Sequence, residues 1–550
     1  MSDYTAHLDT FARDNLPPRS QWPTIDFDLP ELDYPARLNC ATELLDNAVA
    51  AGNGGKPLFH TFNETWTYGD LLERSNRIAR VLTEDFGLVP GNRVLIRAAN
   101  NPMFVACWFA IAKAGGIIVA TMPLLRAREI ATILEKAQIG LALCDERLSE
   151  EMARAASKAP VCKRVCYFNG SGEPDSGAEL EERMAAKAVD FANVDTASDD
   201  TVLIAFTSGT TGKPKGTMHF HRDVMAICDC FPRSILEPDA NDVFVGSPPL
   251  AFTFGLGGLV TFPMRFGAAA VLLEVGSPSA ILEAITHFKV TICVTAPTAY
   301  RAMVDEVVDF DISSLKKCIS AGEHLPEATF EAWEKATGIR IIDGIGATEM
   351  LHIFIAAAND DIRPGATGKP IPGYQAMVVD DDMNPLPPGE IGRLAVRGPT
   401  GCRYLADDRQ GSYVVRGWNL TGDAYMVDDD GYFWFQARAD DMIISSGYNI
   451  AGPEVEAALM EHDAVLECAV VGAPDAERGT IVKAFVVLRP GIEGTPAFAK
   501  QLQDFVKHVI APYKYPRVIA FVDGLPRTET GKVQRFKLRD SAPTARAATG

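Results

Sequence analysis

The chain has 550 residues and a formal net charge of −20 at pH 7, with 47% hydrophobic and 23% charged residues. This length predicts several domains or subdomains, and the composition is that of a soluble globular protein. The acidic balance argues against a nucleic-acid partner and against docking on an anionic membrane. An anionic small molecule in a locally basic site remains compatible with it.

The N-terminus has no basic region followed by an apolar stretch, and charges at Lys113 and Arg265 interrupt the longest apolar runs. No signal peptide or spanning helix is predicted, so we expect a cytoplasmic protein without stable membrane insertion. The eleven cysteines are scattered without metal-ligand spacing, which is typical of reduced thiols packed as small hydrophobic residues. The sequence leaves open whether the chain forms a homodimer.

From about residue 40, helical and strand patterns alternate along the chain. Thr67, with Asp70 three residues later, predicts the start of a helix, and Pro102–Ala114 predicts a second helix. Apolar runs predict buried strands at Val94–Ile96, Ile117–Ala120, Leu141–Cys144 and Val202–Phe206. This alternation predicts a parallel sheet covered by helices.

The sequence pattern changes near residue 390. Short strands separated by turns are predicted there, at Gly392–Val396 and Gly431–Phe435. A compact α/β segment follows from Asp441 to Leu538. The fold class predicted is therefore α/β. Residues 1–439 form a large N-terminal domain of parallel-type sheets with helices and a small β-rich subdomain, and residues 440–550 form a small C-terminal α/β domain.

The strand at 202–206 runs into the ten residues TSGTTGKPKG, from Thr207 to Gly216. Glycines allow backbone N–H groups to approach phosphate oxygens, hydroxyls donate further hydrogen bonds, and lysines supply charge. The spacing differs from that of a Walker A loop, because Gly209 and Gly212 are too close and a proline follows Lys213. The loop therefore predicts a polyphosphate site of another kind.

TSGTTGKPKG resembles the signature loop of the adenylate-forming superfamily, which comprises acyl-CoA synthetases, stand-alone adenylation domains and luciferases. The resemblance continues over most of the chain and implies that ATP binds this loop. The loop residues implied to contact ATP are Thr207, Ser208, Gly209, Thr210, Thr211, Gly212, Lys213 and Lys215.

Two further segments, SAGE (320–323) and DGIGATE (343–349), resemble those that line the adenine pocket of the superfamily. The implied adenine-side residues are Ala321, Gly322, Glu323, Asp343 and Gly344. By the same resemblance Thr348 meets a phosphate and Glu349 helps to hold Mg²⁺, a role that suits a carboxylate. Thr348 and Glu349 are therefore implied to be catalytic.

Thr421-Gly-Asp423 resembles the ribose-binding motif of the superfamily, in which Asp423 accepts from both ribose hydroxyls. Arg438 matches a second ribose or phosphate contact. PRTETGK (526–532) resembles the terminal loop whose lysine, Lys532, meets both the oxygen of the acid and the α-phosphate. Lys532 is thus implied to be the main catalytic residue.

Arg438-Ala-Asp-Asp-Met resembles the hinge of the superfamily, with Asp440 as its pivot. The small domain is then mobile and rotates between an adenylating and a thiol-transferring state. In the second state Ser446, Gly447 and Tyr448 are implied to flank the pantetheine tunnel of coenzyme A. The chain departs from the common pattern here, because the family often has a lysine in place of Ile444 or Ser445.

The resemblance implies a ligase that uses ATP, Mg²⁺ and coenzyme A to convert a small carboxylic acid to an acyl-adenylate and then to a thioester. PPLAFTFGLG (248–257) and GATEMLHIF (346–354) look most like benzoate–CoA and 2-aminobenzoate–CoA ligases. The residues implied to contact the acid are Phe252, Thr253, Phe254, Gly255, Gly346 and His352. Flat aromatic walls suit a planar ring.

Alternatives remain at this point. Phe252, Phe254 and His352 also fit plain core packing. An aliphatic or aryl-alkanoic acid is a further alternative. The acceptor is a carrier protein if the chain is a stand-alone adenylation enzyme, and a luciferase-like oxygenase shares the scaffold. A non-catalytic nucleotide-binding regulator is disfavoured, because it needs no lysine such as Lys532 at the reacting carboxylate.

Overall fold

The computed structural model describes residues 4–169, 178–207, 214–438, 441–445, 448–475, 479–510, 512–527 and 533–540. Within these ranges, no helix combines the length and the apolar character required to cross a bilayer. All eleven cysteines are free, and nine of them are buried, which confirms the prediction that they pack as reduced thiols.

A nine-stranded sheet forms the first layer of the large N-terminal domain. Its central strands are parallel, and antiparallel strands close both edges. In spatial order its strands are Lys369–Pro370, Ile353–Ala356, Ile341–Gly346, Lys317–Ala321, Ile292–Thr295, Val243–Gly246, Ala269–Val271, Pro57–His60 and Thr65–Thr67. Because parallel strands end at one edge, the SAGE and DGIGATE motifs come together there.

A six-stranded sheet carries the strand that precedes the glycine-rich loop. It is parallel except for its last pair, which is antiparallel. In spatial order its strands are Arg164–Phe168, Leu141–Asp145, Arg93–Arg97, Ile117–Thr121, Thr201–Thr207 and Lys215–Phe220. The predicted strands at 94–96, 117–120, 141–144 and 202–206 are thus confirmed, each extended by up to a few residues.

The two predicted helix starts are confirmed by their caps. The Thr67 side chain accepts from the Asp70 N–H while the Asp70 carboxylate accepts from the Thr67 N–H, a capping box. Asn101 caps the helix that begins at Pro102, and the residues of this helix are buried on every face. The α-helices of the N-terminal domain are Phe11–Asp14, Tyr68–Arg80, Pro102–Lys113, Ala127–Lys136, Ser149–Lys158, Glu179–Ala185, His221–Asp229, Thr253–Leu256, Phe262–Phe266, Pro278–Phe288, Pro297–Val304, Glu327–Thr337 and Gln410–Tyr413.

A five-stranded antiparallel sheet forms the β-rich subdomain. Its strands are Gln375–Val379, Ile391–Arg397, Val414–Val415, Trp418–Val427 and Phe433–Arg438. The strand predicted at Gly431–Phe435 begins two residues later, because the Asp428 carboxylate accepts from the Asp430 and Tyr432 N–H groups and closes a turn there.

The smaller C-terminal domain has apolar cores of its own, built from residues between Ile443 and Leu538. Its strands are Ile443–Ser445, Tyr448–Ile450, Val465–Asp475, Gly479–Leu488 and Val518–Phe521, and its α-helices are Gly452–Met460, Pro496–Val509 and Arg535–Asp540. Arg301 of the N-terminal domain donates to the Leu466 carbonyl across the junction. The division at residues 439 and 440 stays a prediction, since both residues lie outside the described ranges.

Candidate active site

The strands on either side of the glycine-rich loop are antiparallel neighbours, and Thr207 lies opposite Lys215. The Thr207 hydroxyl is shielded from solvent and has no hydrogen-bond partner among the described residues. The remaining loop residues predicted to contact ATP lie outside the described ranges, so their roles stay predictions: Ser208, Gly209, Thr210, Thr211, Gly212 and Lys213. The base of the loop therefore presents one unpaired hydroxyl and one lysine.

Glu349 lies in a turn, Thr348–Met350, that contacts the strand ending at Thr207. Its carboxylate is buried, and its Oε1 accepts from the Tyr404 hydroxyl at 2.5 Å. The Lys215 Nζ is 2.8 Å from the same hydroxyl and 3.5 Å from Glu349 Oε1. The structure thus brings two predicted site residues together through a tyrosine that the sequence reasoning missed.

A second set of buried polar side chains lies next to the same turn. The imidazole of His219 contacts the Thr348 carbonyl through Nε2 at 2.8 Å, so Nε2 carries the proton. Burial lowers the pKa of His219 to about 4, which leaves the ring neutral at physiological pH. Arg403 donates to Asp223 at 2.8 Å beside it, and neither side chain is exposed. The turn is therefore held at its Thr348 carbonyl by a buried, neutral imidazole.

The adenine-side residues lie on two neighbouring parallel strands, with Ala321 opposite Gly344 and Ser320 opposite Asp343. Gly322 follows with φ of +91°, a conformation that glycine adopts without strain, and the chain turns there towards Glu323. Burial raises the pKa of the Asp343 carboxyl to about 7. One Asp343 oxygen has no partner in the described part of the chain, so it is available to a ligand donor.

Asp423, predicted to contact ribose, and Arg438, predicted to contact ribose or phosphate, are paired directly. Asp423 and Arg438 face each other on antiparallel strands, and the Arg438 Nη1 donates to Asp423 Oδ1 at 2.9 Å. Asp423 is buried, whereas 44% of the Arg438 side chain is exposed. A buried carboxylate held by a partly exposed arginine can accept from hydroxyls of a bound sugar.

His352 lies in an aromatic enclosure. Its ring centroid is 4.4 Å from that of Phe262 and 5.8 Å and 5.9 Å from those of Phe254 and Phe231. Both ring nitrogens are buried without a hydrogen-bond partner among the described residues, and burial lowers the pKa of His352 to about 3. The Phe254 main chain lies close enough to oppose part of this shift, so the ring is a neutral polar group held inside an apolar enclosure.

The segments next to His352 contain small residues and one unusual main-chain conformation. Phe252 precedes the helix Thr253–Leu256, in which Gly255 is buried. Gly346 approaches the main chain of His352 so closely that a Cβ atom there would lie 2.8 Å from its carbonyl carbon. Leu351 has φ of +69°, which is rare for a residue other than glycine. This strained residue lies between Glu349 and His352 in the sequence. Strained main-chain conformations are common at functional sites.

The segment that begins at Val533 lies near the predicted adenine-side residues. Arg527 and Val533 pair across the loop that contains Lys532. Burial, together with the positive charge of Arg535, lowers the pKa of His324, which follows the SAGE motif. Lys532, Asp440, Ser446 and Gly447 lie outside the described residues, and Tyr448 lies in the strand that pairs with Ile443–Ser445.

Comparisons by sequence and by structure match this chain to the same group of enzymes. The AMP-binding enzyme family matches residues 46–404, and the AMP-binding enzyme C-terminal domain matches residues 454–532. The chain is 36% identical over 519 residues to the benzoate–CoA ligase of Thauera aromatica, covering 93% of this chain and 98% of that protein.

Two solved structures have the same fold. An anthranilate CoA ligase, AuaEII, in complex with anthranoyl-AMP superposes with a TM-score of 0.87 at 33% identity, covering 94% of this chain and 99% of that one. A benzoate CoA ligase from Burkholderia xenovorans superposes with a TM-score of 0.83 at 31% identity, covering 91% and 100%.

Proposed function

The chain belongs to the AMP-binding enzyme family, and we propose that it is an ATP-dependent ligase joining an aromatic acid of the benzoate or 2-aminobenzoate type to coenzyme A. The carboxylate attacks the α-phosphorus of ATP and releases pyrophosphate, which leaves an acyl-adenylate. The thiol of coenzyme A then attacks the acyl carbon, AMP leaves with the bonding electron pair, and the thiol proton is released.

The observation that carries the aromatic assignment is the enclosure around His352. Three phenylalanine rings surround a neutral imidazole whose nitrogens have no partner in the described ranges. Apolar rings suit the flat body of a benzoate, and an imidazole N–H suits its carboxylate or a ring substituent. We assign this acid pocket to the predicted residues Phe252, Thr253, Phe254, Gly255, Gly346 and His352, with Phe231 and Phe262 added.

The phosphate side fits a divalent cation. Glu349 supplies a buried carboxylate, and among the described residues only one of its two oxygens, Oε1, has hydrogen-bond partners. Mg²⁺ prefers one or two carboxylates together with phosphate oxygens and water. We assign Glu349 as the protein ligand for Mg²⁺, which when bound neutralises the charge of the triphosphate. Thr348, Lys215 and the 207–213 loop hold the phosphates.

The remaining assignments follow the family. Asp423 and Arg438 hold the ribose, and Ala321, Gly322, Glu323, Asp343 and Gly344 line the adenine. Lys532 stabilises the negative charge that builds as two anions meet. Asp440 is the hinge between the domains at 1–439 and 440–550, and Ser446, Gly447 and Tyr448 flank the pantetheine tunnel of coenzyme A. A cytoplasmic location is part of the same proposal.

The test is pyrophosphate release from ATP and Mg²⁺ over a panel of acids, with and without coenzyme A. The panel contains benzoate, 2-aminobenzoate, hydroxybenzoates, phenylacetate and C4–C10 fatty acids. Sustained turnover on an aryl acid that requires coenzyme A supports the proposal. Turnover on aliphatic acids alone would overturn the aromatic assignment, and one adenylate per enzyme that coenzyme A cannot release would point to a carrier protein.

A further inference from the structure

Tyr404 occupies a position between the lysine of the phosphate loop and the proposed metal ligand. Its hydroxyl donates to Glu349 Oε1 at 2.5 Å and accepts from the Lys215 Nζ at 2.8 Å. A carboxylate only accepts hydrogen bonds and an ammonium only donates them, so the direction of both contacts is defined. Tyr404 itself is 1% exposed.

The tyrosine is fixed independently of Glu349. Its main-chain N–H donates to the Gln410 side chain at 2.9 Å, and the next N–H, of Leu405, donates to the Gly216 carbonyl. Its ring makes an edge contact with Tyr413, with the ring centroids 5.6 Å apart. The hydroxyl is therefore presented from a rigid base, as a group that orients another requires.

The contacts that Tyr404 and Lys215 make with Glu349 involve the same carboxylate oxygen. Tyr404 and Lys215 engage Oε1, and Oε2 of Glu349 has no hydrogen-bond partner in the described part of the chain. A buried carboxylate held through one oxygen loses its rotational freedom and keeps the second oxygen for another ligand. Oε1 is therefore held in place by hydrogen bonds, whereas Oε2 has no such partner in the described part of the chain.

We propose that Tyr404 is a positioning residue for the ligase reaction, whose hydroxyl holds Oε1 of Glu349 so that the carboxylate is oriented to bind the Mg²⁺ of ATP. This inference rests on the proposed function, in which Glu349 is the metal ligand. Tyr404 touches neither the acid nor the transferred group in this account. Its effect on the reaction passes through Glu349.

The test is the Tyr404→Phe variant, which keeps the ring and removes the hydroxyl. The dissociation constant of ATP is measured by titration calorimetry with and without Mg²⁺, in the absence of any acid. We expect Mg²⁺-dependent ATP binding to weaken by about ten-fold, the size of a lost hydrogen bond to a charged group. Binding of ATP without Mg²⁺ should change by less than about three-fold, since the direct phosphate contacts remain.

Two controls separate positioning from loss of structure. Tyr68→Phe removes a buried hydroxyl that donates to the Ala268 carbonyl at 3.0 Å, away from Glu349, and should leave both constants unchanged. In a Glu349→Gln background, Tyr404→Phe should have little additional effect, because two residues that act as one unit are not additive.

Equal weakening with and without Mg²⁺, full additivity with Glu349→Gln, or no change at all would each overturn the inference. Because these titrations use no acid, they are independent of whether any acid in the panel is a substrate. An inactive wild-type chain would refute the proposed function, whereas an active chain with an unaffected Tyr404→Phe variant would refute the positioning role alone.

Discussion

Gly257→Ala is the sharpest test of the acid pocket. A Cβ atom built at Gly257 would lie 2.3 Å from the Cδ2 atom and 2.5 Å from the Nε2 atom of His352, and 3.1 Å from the Phe262 ring. Distances below 3 Å between such atoms do not occur, so the imidazole has to move. It is packed among rigid aromatic rings, and the displacement therefore reaches the space that we assign to the acid.

The magnitude follows from two effects. Overpacking a core typically costs about 1–3 kcal/mol of unfolding free energy, and each aromatic contact that is lost adds about 0.5–1.5 kcal/mol. If the acid loses its contact with the imidazole at a similar cost, its KM should rise by about 10- to 100-fold. The KM for ATP should change little, because the adenine and ribose residues lie on other elements.

The assay is pyrophosphate release, with the preferred aryl acid and ATP varied in turn. Gly258→Ala is the matched control, since its Cβ would lie 2.8 Å from the Val294 side chain and not against His352. Gly55→Ala, with nothing within 4 Å, should be neutral. If Gly257→Ala destabilises the fold but leaves the KM for the acid unchanged, His352 does not line the acid pocket.

Three other predictions concern the nucleotide side. Lys532→Ala should slow adenylation by about 10²–10³ while thioester formation from preformed adenylate, followed in rapid-quench experiments, falls much less; equal loss in both steps would contradict the two-state assignment. Asp423→Ala should raise the KM for ATP by about ten-fold without changing that for the acid. Asp343 has a folded pKa of about 7, above its unfolded value of about 3.9, so its contribution to stability is present below pH 4 and lost as pH rises through 7. Denaturant titrations should therefore show that Asp343→Asn gains stability relative to wild type from pH 4 to 7, and a constant difference would refute the shift.

The sequence predicted the parts of the site that depend on local order. The strands that precede the glycine-rich loop are identifiable because buried parallel strands are continuous apolar runs. Asp423 and Arg438 were predicted together as ribose contacts. They pair in the structure because one strand returns antiparallel to the other, and a hairpin of this length is a local feature.

The contacts that the sequence did not predict are long-range. Tyr404 and Glu349 are 55 residues apart in the sequence, and no spacing rule connects them. Phe231 and Phe262 look like ordinary core residues, and both are in fact almost fully buried. Only the arrangement of the helices around His352 distinguishes them from the rest of the core, which tertiary packing decides.

The positively charged side chains in the described part of the site are already paired with acidic or hydroxyl groups. In the described part of the chain, Lys215 is engaged by Glu349 and Tyr404, and Arg438 is engaged by Asp423. These cations are therefore already partly neutralised before any substrate binds. Two anions, a carboxylate and a triphosphate, must nevertheless approach each other, and the charge that builds in the transition state has to be met by groups not already committed. We infer that this is the role left to Lys532 and the metal, and that delivering Lys532 from a separate domain allows the same charge to be withdrawn before the thiol attacks.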